Sequence, residues 1–193
     1  MDKLSVVVLR ALGLGHLLTG VPALRALREA YPDADITLAA PSALTRIAAL
    51  SGAVDGVADT APLTPLHPGL HGADLAVDLD GRGPESTRLL LATRPRQLIG
   101  FAHPAPPTTR DLPRWTPGEH EVLRWCRLLT ECGIPANPDR LGLPPPAVPS
   151  PAPGAVIVHP GAGSAARRWP KRAWCSAATP ASPTWWPPTS GRR

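Results

Sequence analysis

A short β-branched run, a glycine turn and an amphipathic stretch follow one another between Leu4 and Leu27, and this order constrains the fold more than any other feature of the chain. Ser5-Val6-Val7-Val8-Leu9 has the length and branching of a buried strand. Gly13-Leu14-Gly15 then turns the chain. Leu17, Leu18, Val21, Leu24 and Leu27 recur at helical spacing. In open α/β sheets ligands bind beyond the carboxyl ends of the strands, against helix N-termini. His16 is the polar residue that would face such a ligand.

The pattern continues in alternation. Ile36–Ala40 reads as a second strand. A short helix follows through Leu50, opened by Pro41-Ser42 with Ser42 as its expected N-cap. A loop and short third strand occupy Gly52–Val57, and Pro62–Gly72 is an irregular connection. Ala73–Leu79 is the fourth strand, Gly81–Gly83 its turn and Glu85–Thr93 a helix. Arg96–Phe101 is the fifth strand, and Ala102–Trp115 is again irregular. Thr116-Pro117-Gly118-Glu119 has the S/T-x-x-E form of a capping box with proline at the first helical position. It predicts a helix to about Cys132, stopped by Gly133. Strands and helices alternating at this spacing predict βαβ units around a parallel, Rossmann-like α/β sheet. This domain is placed at residues 1–136.

Residues 137–154 hold seven prolines and read as a semi-rigid linker. Ala155-Val156-Ile157-Val158 then reads as a new buried strand running into His159-Pro160-Gly161-Ala162-Gly163-Ser164. The opening logic of strand, glycine turn and expected helix is repeated, so residues 155–170 are expected to begin a second α/β domain. From Lys171 onward no strand with apolar alternation follows. Ser182–Ser190 cannot be a helix, and its prolines argue against a central strand. Four of the six tryptophans fall between Trp169 and Trp186. Residues 171–193 are therefore read as an aberrant tail, with out-of-frame translation or truncation expected after about Ala173.

Charge follows the same division. All 15 acidic residues lie at or before Asp139, with 13 of the 20 basic ones, so residues 1–139 carry 13 − 15 = −2 and the remainder +7. The overall +5 belongs to the tail and does not describe a nucleic-acid surface. Cys126, Cys132 and Cys175 match no zinc or CxxC spacing, and an odd number argues against a disulfide framework. Reduced thiols in a cytoplasmic protein are expected. Arg10 interrupts the first apolar run too early for a secretory signal, and no stretch approaches 18 apolar residues.

Two segments together resemble one family. LRALGLGHLLTGVPALRALREAYPDADITLAAP is similar to the N-terminal signature of glycosyltransferase family 9, the ADP-heptose:lipopolysaccharide heptosyltransferases. VIVHPGAGSAARRWP resembles the start of that family's donor-binding domain. The resemblance covers about Leu4 to Pro170. It implies the N-terminal half of a GT-B architecture, in which two Rossmann-like domains face each other across a cleft. The first holds a glycolipid or saccharide acceptor and the second an ADP-heptose-like nucleotide-sugar. The implied reaction is inverting glycosyl transfer within lipopolysaccharide core biosynthesis, with no cofactor and no metal. A glycolipid acceptor also implies peripheral contact with the cytoplasmic membrane.

The resemblance implies roles for particular residues. An inverting transferase needs a group to take the acceptor hydroxyl proton. The family keeps an Asp for this after the second glycine of the loop, and here that position is His16. A neutral imidazole accepts a proton near pH 7, but it lacks the carboxylate's charge. Gly13, Gly15 and Thr19 would form the acceptor-side loop around it. The departing diphosphate needs backbone N–H donors and fixed positive charge. Gly161, Ala162, Gly163 and Ser164 would supply the amides, and Arg167, preferred over Arg168, the charge.

Other candidates read as structural. His67 and His71 stand at i, i+4, but Pro68-Gly69 between them breaks any helix that would present them to a metal. His120-Glu121 reads as a solvated first helical turn. Asp78 and Asp80 flank a strand end near the cleft, as a solvated turn or as contacts for an acceptor sugar. Trp125 reads as core. Two further functions compete with transfer: a non-catalytic sugar-binding or scaffolding module that keeps only the acceptor-domain fold, and a dehydrogenase-like nucleotide-binding fragment. The second lacks the acidic residue that should close the second strand at Ala39-Ala40 to hold a ribose.

Overall fold

The structure, a computed structural model, describes residues 3–150 and 152–156. Five strands form one parallel sheet: β1 (Ser5–Leu9), β2 (Asp35–Ala40), β3 (Gly56–Asp59), β4 (Leu75–Asp78) and β5 (Gln97–Ile99). Their order is β3-β2-β1-β4-β5. β1 is central, with Val6 in register with Ile36 on one side and Leu75 on the other. Strands buried on both faces read as continuous apolar runs, which is why the valine run of β1 is uninterrupted.

The period of two sends alternate side chains to opposite faces. Val6, Val8, Ile36, Leu38 and Val77 pack with Leu17, Leu24 and Leu27 of α1 (Leu14–Ala30) and Trp125, Leu128 and Leu129 of α4 (Glu121–Glu131). Val7, Leu9, Ala39 and Ala76 face the other way, against Leu90 of α3 (Glu85–Ala92) and the Leu66 and Leu70 loop. This is a Rossmann-like α/β sandwich with helices on both faces. Phe101, Trp115 and Trp125 close one end of the larger core in an aromatic cluster, with ring centroids 5.0–6.3 Å apart.

Helix boundaries differ from the sequence expectation in three places. Ser42 does not cap a helix. A 3₁₀ turn at Ser42–Leu44 precedes α2 (Thr45–Leu50), and the Ser42 amide donates to Asp59 Oδ1 at 2.7 Å. Thr116-Pro117-Gly118-Glu119 does not open α4. Gly118 takes φ +75°, outside the helical region, and Glu119 is held by Arg127, so the helix begins at Glu121. Leu14, Gly15 and His16 belong to the first turn of α1, not to a loop. Gly13 stands at its N-cap, and the Leu17 amide already donates to Gly13 O at 3.1 Å.

The expected stop at Gly133 forms as a Schellman motif. Gly133 takes φ +86°, its amide donates to Thr130 O, and that of Ile134 to Leu129 O. The first compact unit ends at Pro146. The first unit runs past residue 136 because Arg140 returns to α1, pairing with Glu29 and accepting a hydrogen bond on its carbonyl from Arg25. Of the predicted strand Ala155–Val158 only the first two residues are described. Neither is in a strand, and Val156 is 91% exposed rather than buried. A strand exists through its ladder, and neither residue has a ladder partner among the described residues. The tail 171–193 lies outside the described residues.

Candidate active site

The parallel ladders deliver two segments to the same edge of the sheet. Beyond β1 the Arg10 amide donates to Ala39 O at 3.0 Å, and beyond β4 the Leu79 amide donates to Leu9 O at 3.1 Å. From β1 the chain crosses to β2 on one side, and from β4 to β5 on the other. The carboxyl ends of β1 and β4 therefore form the topological switch point, where open α/β sheets place their ligand crevice.

Arg10 anchors this edge. It is 1% exposed, and its guanidinium spends its donors in several directions. Nε donates to His16 O at 2.8 Å, Nη1 to Leu79 O, and Nη2 to Thr19 Oγ1 at 2.9 Å. Nη2 also lies 3.1 Å from Glu121 Oε1, and the group covers the Trp125 ring with its carbon 4.7 Å from the centroid. Burial lowers the Arg10 pKa, against the attraction of Glu121, Asp80 and Asp78. The guanidinium nonetheless stays charged.

His16 and Thr19 stand one turn apart on α1 above this cation. The His16 side chain is half exposed, and its Nδ1 lies 3.1 Å from Glu121 Oε1. Thr19 Oγ1 lies within hydrogen-bond distance of both His16 O (2.9 Å) and Glu121 Oε2 (3.0 Å), its single proton serving one at a time. For Glu121, burial raises the pKa, but hydrogen bonds from His16 and Thr19 and the charge of Arg10 outweigh it. The carboxyl is held below the usual range. It is ionised at neutrality and faces the imidazole.

On the β4 side, Asp78 is fully buried. Its Oδ2 accepts from Ser86 Oγ (2.8 Å) and Thr87 Oγ1 (2.7 Å), and its Oδ1 from the Asp80 amide (3.1 Å). Burial raises its pKa despite these bonds. It organises the turn after β4 and is not a solvated residue. Asp80 is half-buried, with Oδ1 shielded from solvent and reached by no donor among the described residues. Burial raises its pKa as well, opposed by the Ala11 amide and by the charge of Arg10.

The structure thus brings His16 and Thr19 together with two residues to which the sequence reading gave no such part, Arg10 and Glu121, and sets them near Asp80, which the sequence offered as a solvated turn or an acceptor-sugar contact. Glu121 is not a solvated first-turn residue, since its side chain is 27% exposed and holds three partners. An arginine directly after an apolar strand was the available signal for Arg10. Nothing local signals Glu121, which lies 105 positions from His16. Gly161, Ala162, Gly163, Ser164 and Arg167, with Arg168, lie outside the described residues. His67 Nδ1 accepts from the Gly69 amide at 3.0 Å, a local turn contact. Among the described residues no group of three or more His, Cys, Asp or Glu side chains is placed to hold a metal ion. No described helix is long and apolar enough to cross a membrane.

No protein-family model matches the chain, and no curated protein matches it in sequence. Solved structures match it in fold. E. coli heptosyltransferase WaaC with ADP aligns at TM-score 0.53 and 17% identity, over 66% of this chain and 46% of that one. A glycosyl transferase of family 9 from Veillonella parvula aligns at 0.54 and 16%, over 69% and 43%. WaaC with ADP-2-deoxy-2-fluoro heptose aligns at 0.50 and 17%, over 66% and 48%. The chain shares the fold of one part of each of these structures. At these identities the likeness is one of fold, and the chain spans less than half the length of each of these structures. In this fold His16 stands beyond β1 at the switch point, with an ionised carboxylate on one ring nitrogen and the buried Arg10 on the same carboxylate.

Proposed function

We propose that the chain serves inverting glycosyl transfer, as the acceptor side of a GT-B glycosyltransferase with an ADP-heptose-like nucleotide-sugar as donor. The observation that carries this reading is the position of His16 at the carboxyl edge of the sheet, within a fold that matches heptosyltransferases. Two of those matching structures hold ADP or an ADP-heptose analogue. His16 takes the proton of the acceptor hydroxyl as its oxygen attacks the anomeric carbon. The bond from that carbon to the diphosphate breaks, and ADP leaves with the electron pair. Asp80 receives a hydrogen bond from another acceptor hydroxyl. The amides of Gly161 to Ser164 and the charge of Arg167 stabilise the leaving diphosphate. The acceptor is a saccharide or a glycolipid, and a glycolipid acceptor puts the protein at the cytoplasmic membrane surface.

Release of ADP from ADP-heptose, measured with a lipopolysaccharide-core acceptor on the full chain, tests the proposal. Release is expected from the wild type and from His16→Asp, with loss in His16→Ala. An acceptor that binds to a chain releasing no ADP in either the wild type or His16→Asp would replace transfer with the sugar-binding module.

A further inference from the structure

We infer that Glu121 is the positioning residue of His16, fixing the imidazole in the tautomer with Nδ1 protonated and Nε2 free to receive a proton. The inference rests on the reading of His16 as the proton acceptor. The relevant contact is the 3.1 Å approach of Nδ1 to Glu121 Oε1. A carboxylate has no proton to give when ionised, so the hydrogen must sit on Nδ1. The lone pair of the neutral ring is then on Nε2, the nitrogen that does not face Glu121. The carboxylate is itself fixed, by Arg10 Nη2 at 3.1 Å on Oε1 and by the Thr19 hydroxyl at 3.0 Å on Oε2. Arg10 in turn is locked by the His16 and Leu79 carbonyls, so the ring and its carboxylate share one rigid support.

The arrangement supplies what a histidine alone lacks. When the acceptor oxygen bonds to the anomeric carbon, its proton passes to Nε2 and the ring becomes a cation. Glu121 stays ionised and faces that cation, so its negative charge neutralises the positive charge that the ring gains with the proton. A base, its orienting carboxylate and a third group holding the carboxylate follow the same logic as a hydrolase triad. Here the supports come from β1, α1 and α4. Glu121 touches no substrate in this scheme and acts only through His16.

A histidine tautomer is read directly by nitrogen NMR. The full chain, labelled with ¹⁵N-histidine, gives long-range proton–nitrogen correlations above neutral pH, with His16 assigned by its loss in His16→Gln. In the wild type His16 is expected mainly as the Nδ1–H form. Glu121→Gln replaces a charge-assisted bond with a neutral one, and the ratio of Nδ1–H to Nε2–H is expected to fall about tenfold. The buried Arg10 could unfold that variant. Glu121→Asp keeps a charge beside Arg10 while its shorter side chain withdraws from His16, and the same direction of change is expected. An unchanged ratio in a folded variant would mean that Glu121 only neutralises Arg10, and would overturn the inference. The readout needs no turnover, so absence of ADP release leaves it intact and counts against the transfer reading alone.

Discussion

The buried Arg10 guanidinium meets the Glu121 carboxylate at 3.1 Å, so that the last step of the central strand is tied to the first turn of α4. The two partners are not equivalent. Arg10 is 1% exposed, whereas Glu121 is 27% exposed and reaches water. Removing the carboxylate leaves a buried cation without a counter-charge, which costs about 3–5 kcal/mol where such pairs are broken. Removing the cation leaves a carboxylate that solvent can receive. Glu121→Ala is therefore expected to lower stability more than Arg10→Met, and the double variant to lose less than the two singles added. Urea unfolding of all three, compared as a double-mutant cycle, checks this.

Glu119 gives a pH dependence with a definite sign. Hydrogen bonds from Arg127, Nε to Oε1 and Nη2 to Oε2, both at 2.8 Å, hold its carboxyl below the usual range against the opposing effect of burial. The unfolded chain takes up this proton at a higher pH than the folded one. The stabilisation is thus complete above the ordinary glutamate range of about 4.3 and is lost as pH falls through the folded value. Glu119→Gln lacks it at every pH. Its melting temperature is expected to lie below the wild type near neutrality, with the gap closing in acid. Thermal melts at a series of pH values measure that gap.

Much of the scaffold was legible in the residues, because it follows from short-range rules. The valine run of β1, the leucines of α1 at helical spacing and the glycine stop at Gly133 each specify a local conformation that tertiary packing then keeps. Local patterns failed where a long-range contact won. Thr116 to Glu119 has the form of a capping box, but Arg127 holds Glu119 and Gly118 takes a positive φ, so the helix starts later. The candidate site was legible at His16 and Thr19, and at Asp80 as one of two readings. Arg10 and Glu121 come to it from separate elements, and only the register of β1 with β4 and the packing of α1 on α4 bring them together.

Gly83 and Gly81 lie two positions apart in the turn that leads to α3, and they answer differently to a methyl group. Gly83 takes φ +73°, and a Cβ there would sit 2.9 Å from Thr87 Oγ1, the hydroxyl that donates to Asp78. A Cβ on Gly81 meets nothing within 4 Å. Gly83→Ala is expected to cost about 1–3 kcal/mol through backbone strain and displacement of Thr87. Gly81→Ala should remain within about 0.5 kcal/mol of the wild type. Chemical denaturation of the two variants side by side separates strain from a general intolerance of this turn.

Asp80 carries the prediction that bears most directly on acceptor recognition. Its side chain is half-buried and lies within the electrostatic reach of Arg10. Under the proposed function its carboxylate accepts from a hydroxyl of the sugar acceptor, present before and during the reaction alike. An interaction made equally in the ground and transition states appears in KM and leaves kcat in place. Asp80→Asn presents an amide whose nitrogen cannot accept, so KM for the acceptor is expected to rise about tenfold with kcat within about twofold. KM for ADP-heptose should not move. Steady-state kinetics with each substrate varied in turn decide the matter, and a fall in kcat at constant acceptor KM would make Asp80 part of the proton path.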